Sequence, residues 1–328
     1  MDQRAARPSP LVAALGLTQI VGYGTLYYSF SILAPGMAAT VGLSRETVFS
    51  VFSVALLAGG LAAPFLGTWM DRFGAARMMT IGSVLSAALL VLCAVSPAAW
   101  FFVLAVVAAQ AASGLVTYQA AFAVLVEYAP SSASRNITYL TLIAGFASSI
   151  FWPITTALAG QFDWRTIYGI FAGLNLAVCL PIHATIARGR ARKAQETSET
   201  AHVAPVHGVI APDGRRAAMI IVSSAFALSG FALSSLLIHM VPMLQALGLG
   251  AAAVTVSALF GPSQVASRLV NMVFGSRLSP VGLAIISTAL IALGGGLLAV
   301  TGGSLSGSVV FALCVGLGSG IGSIAQGS

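Results

Sequence analysis

Ten times along this chain a run of about twenty mostly apolar residues is followed by a short gap, and the charged residues collect in the gaps. A helix needs roughly that length to cross the hydrocarbon core of a bilayer. The runs cover about 11–39, 47–70, 78–95, 98–126, 137–160, 165–187, 217–246, 251–274, 281–300 and 306–326. Composition removes the alternative of a soluble fold. Only 7% of the 328 residues are charged and 58% are hydrophobic, whereas a soluble domain carries about 25% charged residues. The expectation is an all-α polytopic membrane protein. The first run lacks a convincing cleavage site and is read as a retained helix rather than a signal peptide.

The basic residues test the count. With loops numbered alternately, one side receives Arg4, Arg7, Arg72, Arg77, Arg135, Arg188, Arg190, Arg192, Lys193, Arg215, Arg216 and Arg277; the other receives Arg45 and Arg165. Basic loops stay cytoplasmic, so both termini are expected there. The net charge of +7 is thereby explained by orientation in a bilayer, and no nucleic-acid partner is expected. Cys93, Cys179 and Cys314 lie far apart in apolar runs and read as small buried residues, with no disulfide framework, metal site or cofactor expected. Neither a zinc-protease motif nor a nucleophile elbow occurs, so an enzyme is not expected.

Residues 188–216, RGRARKAQETSETAHVAPVHGVIAPDGRR, are polar and without apolar periodicity, and read as a flexible linker. The chain divides into 1–187 with six helices, the linker 188–216, and 217–328 with about four.

Six spans, a basic linker and further spans resemble the layout of the major facilitator superfamily. Residues 67–77, GTWMDRFGAAR, resemble its signature loop through Gly67, Asp71, Arg72, Gly74 and Arg77. Asp163-Trp164-Arg165 resembles the Trp-Arg that often opens the sixth span. The resemblance implies a helical bundle with alternating access and a conformational latch at the five loop residues. It also implies twelve spans in two six-helix halves, so the second half is expected to be incomplete, as a fragment or a truncated chain.

One charge departs from the pattern of charged loops. Arg268 lies inside the eighth run, SALFGPSQVASRLVNMVFG. A charge at bilayer depth costs on the order of 3 kcal/mol. Ser257, Gly261, Gln264, Arg268, Asn271 and Gly275 recur at steps of three and four and share one helical stripe. Two readings stand: Arg268 reaches back to the headgroups, or it binds a carboxylate or phosphate with its planar fork. Similar stripes run through the fifth span (Thr141, Gly145, Ser148, Trp152, Thr155), the first (Thr18, Gly22, Thr25, Ser29) and the fourth (Gln110, Gly114, Thr117). They read equally as cavity lining or as helix packing. Monocarboxylate transporters and the oxalate–formate exchanger look similar in carrying an arginine in the eighth span. Gln264 stands where the former have an aspartate, and the exchanger's lysine in span eleven has no counterpart.

No Asp or Glu falls well inside a run, so His239 in the seventh is the remaining titratable candidate there. The expected binding residues are Arg268, Gln264, Asn271, Gln110, Tyr23, Trp152 and His239. The expected function is secondary transport of a small organic anion in a bacterial inner membrane by a monomer. A drug or metabolite exporter and a non-transporting relic remain as alternatives. Proton-driven exporters resemble one another in an arginine in span four and Gly-Pro in span five, where this chain has Gln110 and Phe151-Trp152-Pro153.

Overall fold

The computed structural model describes residues 9–196, 215–274 and 279–327, and among them there are helices and no strands. The first span is Pro10–Val41, the second Arg45–Phe73, the third Ala75–Ala94, the fourth Ala99–Tyr128, the fifth Pro130–Ala159 and the sixth Trp164–Gly189. The seventh is Arg215–Leu244. The eighth comes in two pieces, Ala252–Ala258 and Phe260–Phe274. The ninth is Pro280–Thr301 and the tenth Leu305–Gly327. Nine rods among the described residues are long and apolar enough to cross a membrane. The eighth, which breaks at Leu259 and carries Gln264 and Arg268, is not among them.

Local chemistry sets the ends. Ser44 accepts a hydrogen bond from the Thr47 amide (3.1 Å) and Asp163 from the Thr166 amide (2.9 Å), each capping the exposed donors of a first turn. Ser279 does the same for Gly282 (3.1 Å), with Pro280 as the first helical residue. Gly74 has φ +88°, a left-handed value that lets the second and third spans reverse direction without a linking loop.

The sixth helix does not stop at the expected edge of the linker. It continues to Glu196, because the ARGRARKAQE segment is rich in good helix formers. Residues 197–214 of the expected linker lie outside the described residues, as do Arg4, Arg7, Gly275 and Arg277.

In the first half, the third span lies between the second, fourth and sixth, and the second packs along the fourth. In the second half, the tenth span packs against the eighth and ninth. One apolar cluster joins the halves: Tyr28, Ile32 and Trp152 meet Leu237, Met240, Val256 and Phe260. Lipid is as apolar as leucine, so close packing and hydrogen bonds hold such a bundle together.

Among the described residues three stretches are π-turns: Gln245–Leu249 at the end of the seventh span, and two that meet in the first half, Gly24–Tyr28 in the first span and Asn175–Cys179 in the sixth. The Asn175 amide donates to Thr25 Oγ1 (3.0 Å) and to the Phe171 carbonyl (2.8 Å), which ties the two irregular turns to each other.

Candidate functional site

Between the halves lies a cavity of about 290 Å³, at the small end of ligand pockets, which span roughly 300–1,000 Å³. Its first-half wall is aromatic. A π-turn winds with i→i+5 bonding, so residues five apart come to the same side, and Tyr23 and Tyr28 both line the cavity. Their ring centroids are 6.4 Å apart, and Tyr118 stands 4.8 Å from Tyr23. Gly24 allows this bend to approach the fifth span, because a Cβ there would strike the Phe151 ring. The Gln110 amide donates to the Leu26 carbonyl (2.7 Å) inside the turn, satisfying an acceptor in the irregular segment.

The second-half wall carries the charge. Arg268 is buried, 4% exposed. Its Nε donates to Ser323 Oγ (3.0 Å) and its Nη1 to the Thr141 carbonyl across the domain boundary. Tyr118 lines the same cavity. One turn away, Gln264 Nε2 donates to Ser319 Oγ (2.7 Å). Among the described residues no carboxylate pairs with Arg268. A guanidinium has five N–H donors; the bonds to Ser323 and Thr141 engage two of them, and the side chain lines the cavity.

Of the residues singled out from sequence, Arg268, Gln264 and Tyr23 line this cavity. Gln110 lies behind it in a smaller pocket of about 170 Å³ that shares Tyr23. Trp152 is wholly buried, edge-on to Tyr28 with centroids 5.4 Å apart. Asn271 is half-buried and does not line the cavity. His239 is exposed and shares a different pocket with Arg45 and Phe49, its ring 4.6 Å from that of Phe49. Among the described residues no cluster of His, Cys, Asp and Glu has the makings of a metal site.

The polar stripes have an origin that spacing alone left open. Those of the fifth and eighth spans face each other. A Cβ on Gly261 would lie 2.8 Å from the Gly145 carbonyl, and one on Gly145 would lie 2.8 Å from Val265 Cγ2. Ser149 donates to the Ala258 carbonyl (2.5 Å). The small residues therefore allow a close crossing of the halves, and Gln264 and Arg268 emerge from it into the cavity. In the first span Thr18, Thr25 and Ser29 are buried and donate to carbonyls of their own helix, which is packing.

Tyr28, Tyr118, Ser319 and Ser323 join the cavity without having been singled out. Tyr28 needed the π-turn to be seen, and single hydroxyls in an apolar run read as packing residues.

The cavity is capped on the face that carries Arg45 and Arg165, where the Trp152 cluster closes the halves together. Ile221, Leu228 and Phe231 of the seventh span are 67%, 70% and 70% exposed, like the apolar side chains on the outside of the other spans. The signature loop lies at the other face, the one bearing Arg72, Arg77 and Arg188, with Asp71, Arg72 and Arg77 exposed. The Arg72 guanidinium sits 5.3 Å from the Phe73 ring centroid, and Glu127 accepts from the Ala75 amide (3.3 Å) at the start of the third span.

A family profile described as Major Facilitator Superfamily matches residues 15–328. No curated protein matches the sequence. Among solved structures, a D-xylose–proton symporter superimposes with TM-score 0.61 at 15% identity, covering 96% of this chain and 80% of that one. The nucleoside transporter NupG gives 0.63 at 14%, covering 96% and 81%. A bacterial homolog of the human lysosomal transporter Spinster, inward-facing and occupied, gives 0.57 at 15%, covering 96% and 74%. At such identities the likeness is one of fold.

Proposed function

The chain belongs to the Major Facilitator Superfamily, and from that premise we propose that it is a secondary transporter of a small organic anion, working by alternating access. The observation that carries the anion is Arg268: a buried guanidinium, without a carboxylate partner among the described residues, at the edge of a cavity between the halves. An anion entering that cavity supplies the missing counter-charge, and the guanidinium fork matches a carboxylate in two hydrogen bonds. This is the chemistry expected of the branch that resembles monocarboxylate transporters and the oxalate–formate exchanger.

The two bodies that move are residues 1–187 and 217–328, around the crossing of the fifth and eighth spans. Basic loops orient the face bearing Arg72, Arg77 and Arg188 toward the cytoplasm of a bacterial inner membrane. Asp71 serves as a latch: it is exposed at that face and would exchange partners as the halves move.

The test is carboxylate binding to the purified protein and to two variants. A charge-assisted hydrogen bond contributes about 1.5–3 kcal/mol, so Arg268→Gln should lose about ten- to a hundredfold in affinity. Arg268→Lys keeps the charge without the fork and should fall in between. Unchanged binding by Arg268→Gln would remove the anion from the reading.

A further inference from the structure

We infer that the anion is a monocarboxylate with a flat aromatic body, its carboxylate on Arg268 and its ring against the tyrosine wall. This rests on the anion-transport reading above and narrows it.

Charge and ring surface in the cavity carry the argument. Of the nine hydroxyls that line it, Tyr27 donates to the Ser234 carbonyl (3.4 Å), Ser287 to Gly318 (2.8 Å) and Ser323 to Gly320 (2.8 Å), while Ser319 accepts from Gln264 (2.7 Å). Arg268 is the one charged side chain on the lining among the described residues. A second carboxylate would therefore enter unpaired. What the cavity offers beyond the guanidinium is ring surface. Tyr23, Tyr28 and Tyr118 are half-buried, and aromatic rings associate in stacked or edge-on pairs at centroid separations of about 4.5–7 Å. About 290 Å³ accommodates one ring and a carboxylate.

The experiment measures binding of benzoate, acetate, succinate, gluconate and benzamide to the full chain by calorimetry. Benzoate should bind at least about tenfold more tightly than acetate, a gain typical of one buried ring, with succinate and gluconate weaker than benzoate and benzamide at background. Tyr118→Leu should erase the preference for benzoate over acetate, and Tyr118→Phe should keep it; the second variant separates loss of the ring from loss of the fold. If acetate, succinate or gluconate equals or exceeds benzoate while Arg268→Gln still abolishes binding, the aromatic assignment is overturned and the anion reading stands. If benzamide binds as tightly as benzoate and Arg268→Gln changes nothing, the anion reading falls and takes this inference with it. Absence of binding by every carboxylate overturns both.

Discussion

In the first six spans, long side chains reach backbone carbonyls on other spans. Gln19 donates to Val116 (2.9 Å), Gln110 to Leu26 (2.7 Å) and Tyr128 to Ile186 (2.7 Å), and the Arg165 guanidinium holds Ala94 and Ser96. In the last four spans the cross-span bonds run mostly through serines: Gln264 to Ser319, Arg268 to Ser323 and Ser287 to Gly318. The difference is one of fixity. A backbone carbonyl cannot turn away from its donor, whereas a serine hydroxyl rotates and can take another partner. The first half is built as a rigid platform bearing the uncharged aromatic wall. The second holds the charge in one contact that can be remade, to Ser323, and one to the fixed Thr141 carbonyl of the first half.

The contrast breaks most completely where the halves touch. Gly261→Leu would place a side chain where the Gly145 carbonyl and Ser149 lie, forcing the fifth and eighth spans apart. Substrate uptake into proteoliposomes should fall to background while the protein still inserts and remains monodisperse. Normal uptake would show that this crossing is not the pivot shared by the halves.

A paired substitution tests fixity directly. Gln110→Leu strands the Leu26 carbonyl inside a π-turn and should cost about 1–3 kcal/mol, read as a lower thermal unfolding midpoint. Gln264→Leu strands a rotatable hydroxyl and should cost less. Equal destabilisation would contradict the distinction. Asp71→Asn should slow turnover several-fold yet leave substrate affinity within a fewfold, since Asp71 is exposed in the signature loop and lies outside the cavity.

The smallest effect concerns the capped face. Ser257 Oγ, Trp152 Nε1 and Thr155 Oγ1 are buried there without a protein partner. Ser257→Ala removes one such atom and should favour the capped state by about 1 kcal/mol or less. Spin labels at Ser50 and Leu247 should report a larger short-distance population.

Much of the fold was legible because membranes impose it. Span number and alternation followed from run length and from where arginines fall, and Gly74 was marked by the signature loop. The π-turns were not, since GTLYY and NLAVC are unremarkable helical sequences and their winding is set by what packs against them. Arg268 and Gln264 were visible as polar outliers in an apolar run. The tyrosine wall was not, because an aromatic residue at membrane depth serves packing and binding equally well. Trp152 and the stripe around it had the right periodicity, but the partner was the opposing helix.

The solitary guanidinium has an electrical consequence. Among the described residues the other charged side chains lie near the ends of their spans, so Arg268 is the charge that the transmembrane field can act on when the protein rearranges. A potential of 100 mV does about 2.3 kcal/mol of work on a unit charge carried through the whole field. On the proposed anion mechanism, the empty carrier would displace Arg268 through part of that field and return at a rate that depends on voltage, whereas with a monoanion seated on the guanidinium the moving assembly would be neutral and its passage indifferent to the potential. Current recordings should therefore show voltage dependence in the return of the empty form and none in exchange of one bound anion for another.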